Sequence, residues 1–460
     1  GWVLYIAPTN ALCAQITDDL RQSLSSMTDV EVKGFPGKLD YSPELPRFEV
    51  ARNVLVITPE KALLLLKREP EVFREFRLLV LDEFHILVDP NRGDIVETVL
   101  SFAVASNPDL RVIMMSALVE NGEHLARWLE ARTGGAVATI PLRGQPWRPT
   151  RIARLTVFPD SRTLTPVEGE ARETIRVRAF SDAVTPWEED TPLYSWLTPI
   201  HIEREVGKSF PWRNEVSRRL AKTFVDRGIK TMVFVLKSRH HAFSIASDFK
   251  ADVPETTRYV TQREQDLFEL AEYELGAPSL LEKLVREHGA AVHTSAMLDC
   301  EREAAQMAFS KEGVDLLVAT GTLSQGLNLM ARAVIVCGTQ LSEYADYDMT
   351  RAEFRQQSLN QVLNALGRAA RASITCRGVG VIVPDRFEWG LDETAPKRRF
   401  FQRIEALRLK DAALAVDSPI RDLLSEVQTD SLNASANRAE CLLLARLPSD
   451  SEFLRFTLES

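Results

Sequence analysis

Two adjacent carboxylates, Asp82 and Glu83, come directly after the apolar run Leu78–Leu81. A buried strand that ends in two carboxylates is typical of the Walker B strand by which nucleotide hydrolases present metal chemistry. The first carboxylate would hold Mg²⁺ on the nucleotide phosphates, and the second would orient or deprotonate the attacking water. His85 follows where its ring nitrogens can link the nucleotide site to a neighbouring domain. The alternative for so short a pattern is an ordinary solvated strand end.

A second candidate for phosphate chemistry is the segment Ala319–Leu329, which follows another apolar run. Thr320 and Thr322 offer hydroxyls with little bulk, and Gly326 allows the backbone to approach a ligand closely. This composition predicts a loop that contacts phosphates. An ordinary strand-to-helix turn is the alternative.

Two arginines near the end of a predicted helix form the third candidate. Arg368 and Arg371 lie in the segment Gly367–Arg371 and are three residues apart, so they share one helix face. Planar guanidinium donors brought onto a nucleotide would stabilise the charge that develops during phosphoryl transfer. The alternative for such a pair is a solvated helix face.

Short apolar strands that alternate with helical segments position the first of these candidates. Thr58 suits a helix N-cap and Pro59 the first helical position, so a helix is predicted directly after the second strand. Such alternation predicts a parallel sheet with helices on both faces, which binds ligands at the carboxyl ends of its strands. The predicted strands of this first series are Trp2–Ala7, Val54–Ile57, Leu78–Leu81 and Val112–Met115.

A second series of strands and helices follows a stretch rich in proline. We therefore predict an α/β chain with a first domain at 1–141, a connector or insertion at 142–225, a second domain at 226–390 and a mostly helical C-terminal segment at 391–460. That last segment is a candidate accessory domain and a candidate surface for protein partners. The strands of the second series are Thr231–Leu236, Ala290–His293, Asp315–Ala319, Ala333–Cys337 and Gly378–Val383.

The composition indicates a globular chain. Its 460 residues, 45% of them hydrophobic, exceed the roughly 150 residues typical of one domain. No run approaches the roughly 18 apolar residues of a membrane span, and no secretion signal is present at the start. The five scattered cysteines fit a reduced compartment, so we expect an intracellular, cytoplasmic protein, with the nucleoid or a eukaryotic nucleus as open alternatives. The net charge of -9 still permits a local basic stripe for nucleic acid.

These motifs together resemble the superfamily 2 helicases, in their DExH-box group and most closely the Ski-like branch, and they occur in that family's order. The strongest similarity is Ala319–Leu329 to motif V. The other similar segments are Ala7–Leu12 for motif Ia, Thr58–Lys61 for Ib, Asp82–His85 for II, Ser116–Leu118 for III, Val233–Val235 with Ser238 for IV, Val292–Ala296 for the histidine-containing turn before motif V, Gly367–Arg371 for VI, and Trp147–Pro149 for the junction after the first domain.

The resemblance implies two RecA-like domains that close on ATP and Mg²⁺ and move along a DNA or RNA strand. Asp82 would coordinate Mg²⁺, Glu83 would position the water, and Arg368 and Arg371 would act as arginine fingers. Gly326 and Gly367 would lie near the nucleotide. His85 and Ser116 would couple hydrolysis to domain movement. The residues implied to face the phosphates of the strand are Thr9, Thr58, Thr320 and Thr322.

The largest departure from the family pattern is that motif I, the Walker A loop, is missing from these residues. The sequence Gly207–Ser209 lacks the glycine five residues earlier and is followed by phenylalanine and proline, so it does not qualify as a phosphate-binding loop. We therefore expect an N-terminally truncated chain, in which the first strand, Trp2–Ala7, needs the missing strand and loop as neighbours. Leu118, Asn364 and Ala370 also differ from the residues usual in motifs III and VI, which puts the coupling in doubt.

Two hypotheses of different class remain open. The first is an ATP-dependent helicase or translocase. The second is a homologue without a phosphate-binding loop, which serves as a nucleic-acid-binding or scaffolding subunit. The presence of Asp82, Glu83, Arg368 and Arg371 favours the first hypothesis, because a scaffold has no need for groups that position water and stabilise phosphoryl transfer.

Overall fold

The described residues form two compact units, one up to residue 137 and one from residue 150 onwards. The computed structural model describes residues 1–34, 52–89, 92–107, 109–116, 122–133, 135, 137, 150–167, 170–180, 200–205, 212–236, 239–249, 259–321, 329, 331–341, 351–370, 377–385 and 394–408.

The first unit contains a five-stranded, fully parallel sheet in the order β2-β3-β1-β4-β5. Its strands are β1 (Trp2–Ile6), β2 (Val30–Gly34), β3 (Arg52–Ile57), β4 (Phe76–Asp82) and β5 (Arg111–Met115). Its helices are α1 (Asn10–Ser23), α2 (Pro59–Arg68), α3 (Gly93–Ser106) and α4 (Gly122–Thr133). Short 3₁₀ turns occupy Pro70–Arg74 and Phe84–Val88.

Alternating side chains of the buried strands pack into two different cores, one on each face of this sheet. In β3, Leu55 and Ile57 belong to the larger core together with α2 and α3, whereas Val54 and Val56 belong to a smaller core beneath α1. This alternation follows from the two-residue repeat of a strand. A parallel sheet with helices on both faces was predicted, and the structure confirms the α/β class.

Helix α2 begins where the sequence predicts. Thr58 has an extended backbone and Pro59 takes the first helical position, where a missing N–H costs nothing. Lys67 and Arg68 in the last turn complement the helix dipole. One short 3₁₀ turn then connects α2 to β4.

The first strand already has two neighbours. β1 pairs with β3 on one side and with β4 on the other, so the expectation that Trp2–Ala7 needs further strands beside it is wrong. Among the strands that the structure describes, β2 and β5 are the outermost strands of this sheet. On the edge strand β5, the side chains of Ile113 and Met115 are 46% and 39% exposed.

The second unit contains an eight-stranded sheet in the order β10-β11-β9-β12-β13-β6-β7-β8. The pairs from β10 to β6 are parallel, and β6, β7 and β8 are antiparallel. The strands are β6 (Arg151–Val167), β7 (Glu170–Phe180), β8 (Ile200–Glu205), β9 (Thr231–Val235), β10 (Ala290–His293), β11 (Leu316–Thr320), β12 (Ala333–Cys337) and β13 (Arg377–Val383). The helices are α5 (Trp212–Val225), α6 (Arg239–Ser247), α7 (Gln262–Leu275), α8 (Leu280–Lys283), α9 (Asp299–Ser310), α10 (Arg351–Leu366), α11 (Thr394–Arg403) and α12 (Glu405–Arg408).

Parts of the proline-rich region 142–225, predicted as a connector or insertion, have regular secondary structure. Its described parts form β6, β7, β8 and α5, which all belong to the second unit. Pro159 is accommodated in β6 because the pairing with β7 shifts register between Pro159 and Ser161, and an irregular ladder tolerates a missing N–H.

The helices α11 and α12 confirm that the chain after β13 turns helical. They belong to the second unit, where Arg154 Nη1 donates to the Ala406 carbonyl over 3.1 Å. The remainder of the predicted C-terminal segment, from residue 409, lies outside the described residues. Among the helices that the structure describes, none is long and apolar enough to cross a membrane.

Candidate functional site

The carboxyl ends of β1 and β4 bring Tyr5 and Asp82 together. Tyr5 Oη donates to Asp82 Oδ2 over 3.1 Å. The other carboxylate oxygen, Asp82 Oδ1, accepts a hydrogen bond of 2.9 Å from the backbone N–H of Glu83. Donors from two different parts of the chain therefore hold the two oxygens of one carboxylate.

Glu83 has a left-handed backbone, with φ 49° and ψ 47°. It is the only residue other than glycine with a positive φ among those the structure describes. This conformation costs energy for a residue with a side chain, and such strain is concentrated at functional sites. It turns the chain sharply from β4 into the 3₁₀ turn Phe84–Val88, whose Phe84 and Leu87 are buried. Glu83 is thus held at the strand end by a turn anchored in the core.

His85 connects the Glu83 carboxylate to the neighbouring strand. Its Nδ1 lies 3.2 Å from Glu83 Oε2 and 3.2 Å from Ser116 Oγ, and Ser116 follows directly on β5. Because a carboxylate only accepts, the contact with Glu83 assigns the ring proton to Nδ1. Since β5 pairs with β4, sheet pairing brings Ser116 beside this histidine. Ala117 and Leu118, the other residues of the motif III-like segment, lie outside the described residues.

Burial controls the protonation of the groups around Asp82. It raises the pKa of Tyr5 well above its ordinary value, and the charge of Asp82 raises that pKa further. Tyr5 is therefore a neutral donor at physiological pH. Burial also raises the pKa of Cys13 to about 11, so this thiol near the end of β1 stays protonated and is a poor nucleophile.

The carboxylate of Asp82 is the type of ligand that Mg²⁺ prefers. Mg²⁺ commonly binds through one or two carboxylates, water and nucleotide phosphates. Within the described part of the chain, no cluster of three or more His, Cys, Asp or Glu side chains could hold a metal by itself. Asp82 fits a site in which the nucleotide supplies much of the coordination.

Thr9 and Thr58, which were predicted to face the phosphates of a nucleic-acid strand, both lie directly before helices of this unit. Thr9 Oγ1 accepts from the Leu12 N–H over 3.2 Å and caps α1, while its own O–H can still donate. Thr58 is only 5% exposed and bonds to Glu60. Burial alone would raise the pKa of Glu60, but the hydrogen bond and charge of Arg92 outweigh it and hold that pKa below its ordinary value.

In the second unit, Thr320 ends β11 and is only 2% exposed. Gly321 follows in a confined position, since a Cβ there would lie 3.0 Å from the Leu341 carbonyl oxygen. Thr322 and Gly326, the other predicted phosphate contacts, lie outside the described residues.

Gly367 and Arg368 follow α10 in a short 3₁₀ turn, Gly367–Ala369, which packs closely on β13. A Cβ on Gly378 would lie 1.8 Å from the carbonyl oxygen of Ala369, so only glycine permits this approach. Gly367, in contrast, faces open space. Arg371, the second predicted arginine finger, lies outside the described residues.

Tyr5 is the member of this site that the sequence analysis missed. It lies in a run of apolar residues, a pattern that predicts an ordinary core position. The signal that could have found it is the register of β1 against β4, which aligns Tyr5 with Val80, two residues before Asp82. That register follows only from the strand order, which the sequence does not state.

Comparisons with known proteins concern the family of the chain. A family model described as DEAD/DEAH box helicase matches residues 1–124. The chain is 26% identical over 380 residues to the ATP-dependent DNA helicase Hel308 of Thermoplasma volcanium, covering 82% of this chain and 45% of that protein. It is 23% identical over 389 residues to the RQC trigger complex helicase SLH1 of Saccharomyces cerevisiae, covering 83% and 17%. Identity to the U5 small nuclear ribonucleoprotein 200 kDa helicase of Mus musculus is 24% over 402 residues, covering 84% and 16%.

The family model and these relatives support the predicted superfamily 2 DExH-box helicase family, in its Ski-like branch. The predicted family is therefore confirmed. The chain spans less than half the length of these relatives. The N-terminal truncation that would account for the missing motif I stays a prediction.

Proposed function

We propose that this Ski-like helicase couples ATP hydrolysis to movement along a nucleic-acid strand. The observation that carries the proposal is the network around Asp82, in which Tyr5, Glu83, His85 and Ser116 are joined by contacts of 2.9 to 3.2 Å. A scaffold has no need for a strained glutamate that is oriented by a histidine beside a metal-binding aspartate.

The proposed roles follow from the chemistry of each side chain. Asp82 holds the Mg²⁺ of Mg·ATP, which neutralises charge that develops on the phosphates. Glu83 orients the attacking water and accepts its proton. His85 donates from Nδ1 to Glu83 or to Ser116, and this choice makes it a candidate relay between hydrolysis and movement of the chain.

In this proposal, the protein contacts the phosphates of the nucleic-acid strand. Hydroxyls and helix N-termini contact phosphates without reading bases, which predicts little sequence preference. Thr9 supports this role because its O–H remains available at the start of α1. Thr58 and Thr320 are covered, so contact through their hydroxyls requires movement of the surrounding residues. For Thr322, the proposed role as a phosphate contact rests on the sequence pattern alone.

Arg368 and Arg371 are proposed as arginine fingers, and Gly326 and Gly367 as residues near the nucleotide. The packing of Ala369 on Gly378 supports a fixed position for the turn that carries Arg368, because pre-organised donors stabilise developing charge without reorganising.

The decisive experiment is ATP turnover by the natural full-length chain, with and without single-stranded DNA or RNA. We expect Mg²⁺-dependent turnover that the strand stimulates. Directed movement would then be measured by displacement of a labelled complementary strand. Strand binding without turnover would contradict the motor and favour a nucleic-acid-binding or scaffolding subunit.

A further inference from the structure

We propose that Tyr5 is a positioning residue that sets the orientation of the Asp82 carboxylate for Mg²⁺, an inference that rests on the proposed ATPase function. The geometry points to this role because Tyr5 Oη donates directly to Asp82 Oδ2 over 3.1 Å. The predicted motifs contain Asp82 and Glu83 but not this tyrosine.

The phenol is held in place by an interior strand. β1 is paired on both sides, and its Tyr5 lies opposite Val56 of β3 and Val80 of β4. The ring also packs against the smaller core of this unit, which includes Ala7, Cys13 and Val56. A side chain anchored in this way presents its O–H with little freedom to turn away.

Asp82 needs a second donor because one hydrogen bond does not fix a carboxylate. The Glu83 N–H holds Oδ1, but the carboxylate can still rotate about its terminal bond, which has a broad torsional preference. The Tyr5 bond to Oδ2 restricts this rotation. Hydrogen bonds to metal-ligating carboxylates have this orienting effect in general.

A neutral donor suits this position better than a cation would. A lysine or arginine at the same distance would orient Asp82 but would also compete with Mg²⁺ for its charge. A tyrosine O–H orients the carboxylate without adding a positive charge of its own beside the metal.

The test is Tyr5→Phe in the natural full-length chain, which keeps the ring and removes only the O–H. We expect the Mg²⁺ concentration at half-maximal ATP turnover to rise about 10-fold, the lower end of the range for outer-shell partners of metal ligands. The KM for ATP at saturating Mg²⁺ should stay near that of the wild type. Mn²⁺ affinity in the nucleotide complex, followed by electron paramagnetic resonance, should fall in parallel and does not depend on turnover.

Tyr273→Phe provides the matched control, because it removes a phenol that is 86% exposed on α7. It should leave both metal measurements unchanged. Incorporation of 4-aminophenylalanine at position 5 should restore the metal affinity, since its neutral N–H can replace the lost donor. This rescue variant also keeps the test valid if Tyr5→Phe folds poorly.

Unchanged Mg²⁺ and Mn²⁺ dependence in a folded Tyr5→Phe protein would overturn the proposal. A lower kcat at every Mg²⁺ concentration with unchanged Mn²⁺ affinity would also overturn it, because that result indicates a merely structural role. Absence of turnover in the wild type would instead refute the proposed function.

Discussion

The carboxyl edges of the two sheets differ in what their polar side chains contact. At the first sheet, the contacts converge on Asp82 and Glu83, and the partners are a neutral tyrosine, a histidine and a serine. These partners come from β1, from the turn after β4 and from the end of β5.

At the second sheet, the described polar groups mainly bind one another. Arg213 forms an ion pair with Asp385, whose other oxygen accepts from the Thr339 N–H over 3.0 Å. Nearby, Asn214 links Cys337 to His241. The described contacts at the carboxyl edge of the sheet thus differ between the two units, and the residues rather than the fold decide this difference.

The strongest test of the difference between the two sheet edges is Glu83→Gln in the natural full-length chain. The amide cannot accept the proton of the attacking water, so we expect kcat to fall by about 10²–10⁴-fold with ATP binding retained. Turnover and nucleotide binding would be measured separately. Glu130→Gln, an exposed change on α4, serves as the control. Turnover close to that of the wild type would remove Glu83 from its role.

In the second unit, we expect the largest loss of stability from a substitution at Gly378. A Cβ there would collide with the Ala369 carbonyl, so Gly378→Ala should lower the free energy of unfolding by about 3 kcal/mol, the upper end of the range for overpacking. Gly367→Ala, which meets open space, should change it little. Urea denaturation of both variants provides the measurement, and equal stability would contradict the close packing.

His293, at the end of β10, offers a test by pH. Burial, followed by the charge of Arg302, lowers its pKa to about 4 from an ordinary value of 6.5. The unfolded chain therefore binds a proton below pH 6.5 that the folded chain does not. The stability associated with neutral His293 is complete above pH 6.5 and is lost as the pH falls towards 4.

Between pH 7 and pH 5 this single group should cost the wild type about 2 kcal/mol of stability. His293→Gln should remove that part of the pH dependence, while His240→Gln, on the exposed start of α6, should retain it. Urea midpoints at both pH values would show the difference. A wild-type pH dependence in His293→Gln would indicate that other groups are responsible.

The smallest expected effect concerns the relay through His85. Ser116→Ala removes one partner of its Nδ1 and leaves the contact with Glu83, so strand stimulation of turnover should fall about 5-fold with basal turnover retained. His85→Ala removes both contacts and should lower basal turnover as well. Identical kinetics of the two variants would show that Ser116 has no separate part in coupling.

The sequence predicted the core strands because they are continuous apolar runs. Trp2, Ala290 and Ala333 each begin a strand where expected. The sequence did not predict β2, because charged residues interrupt its apolar pattern. It did not predict β6 to β8 either, because the prolines of this region resemble those of a linker. Asp82 and Glu83 were identifiable from their adjacency. Tyr5 was not, since its role depends on the register between β1 and β4.

The buried cysteines have a practical consequence for labelling experiments. Cys13, Cys300 and Cys337 are free and buried, and burial raises the pKa of all three thiols. Maleimides react with thiolates, so these positions should label slowly at neutral pH. Once Cys376 and Cys441, which lie outside the described residues, are replaced, fluorophores attached to a surface cysteine in each unit could report distance changes in real time during turnover.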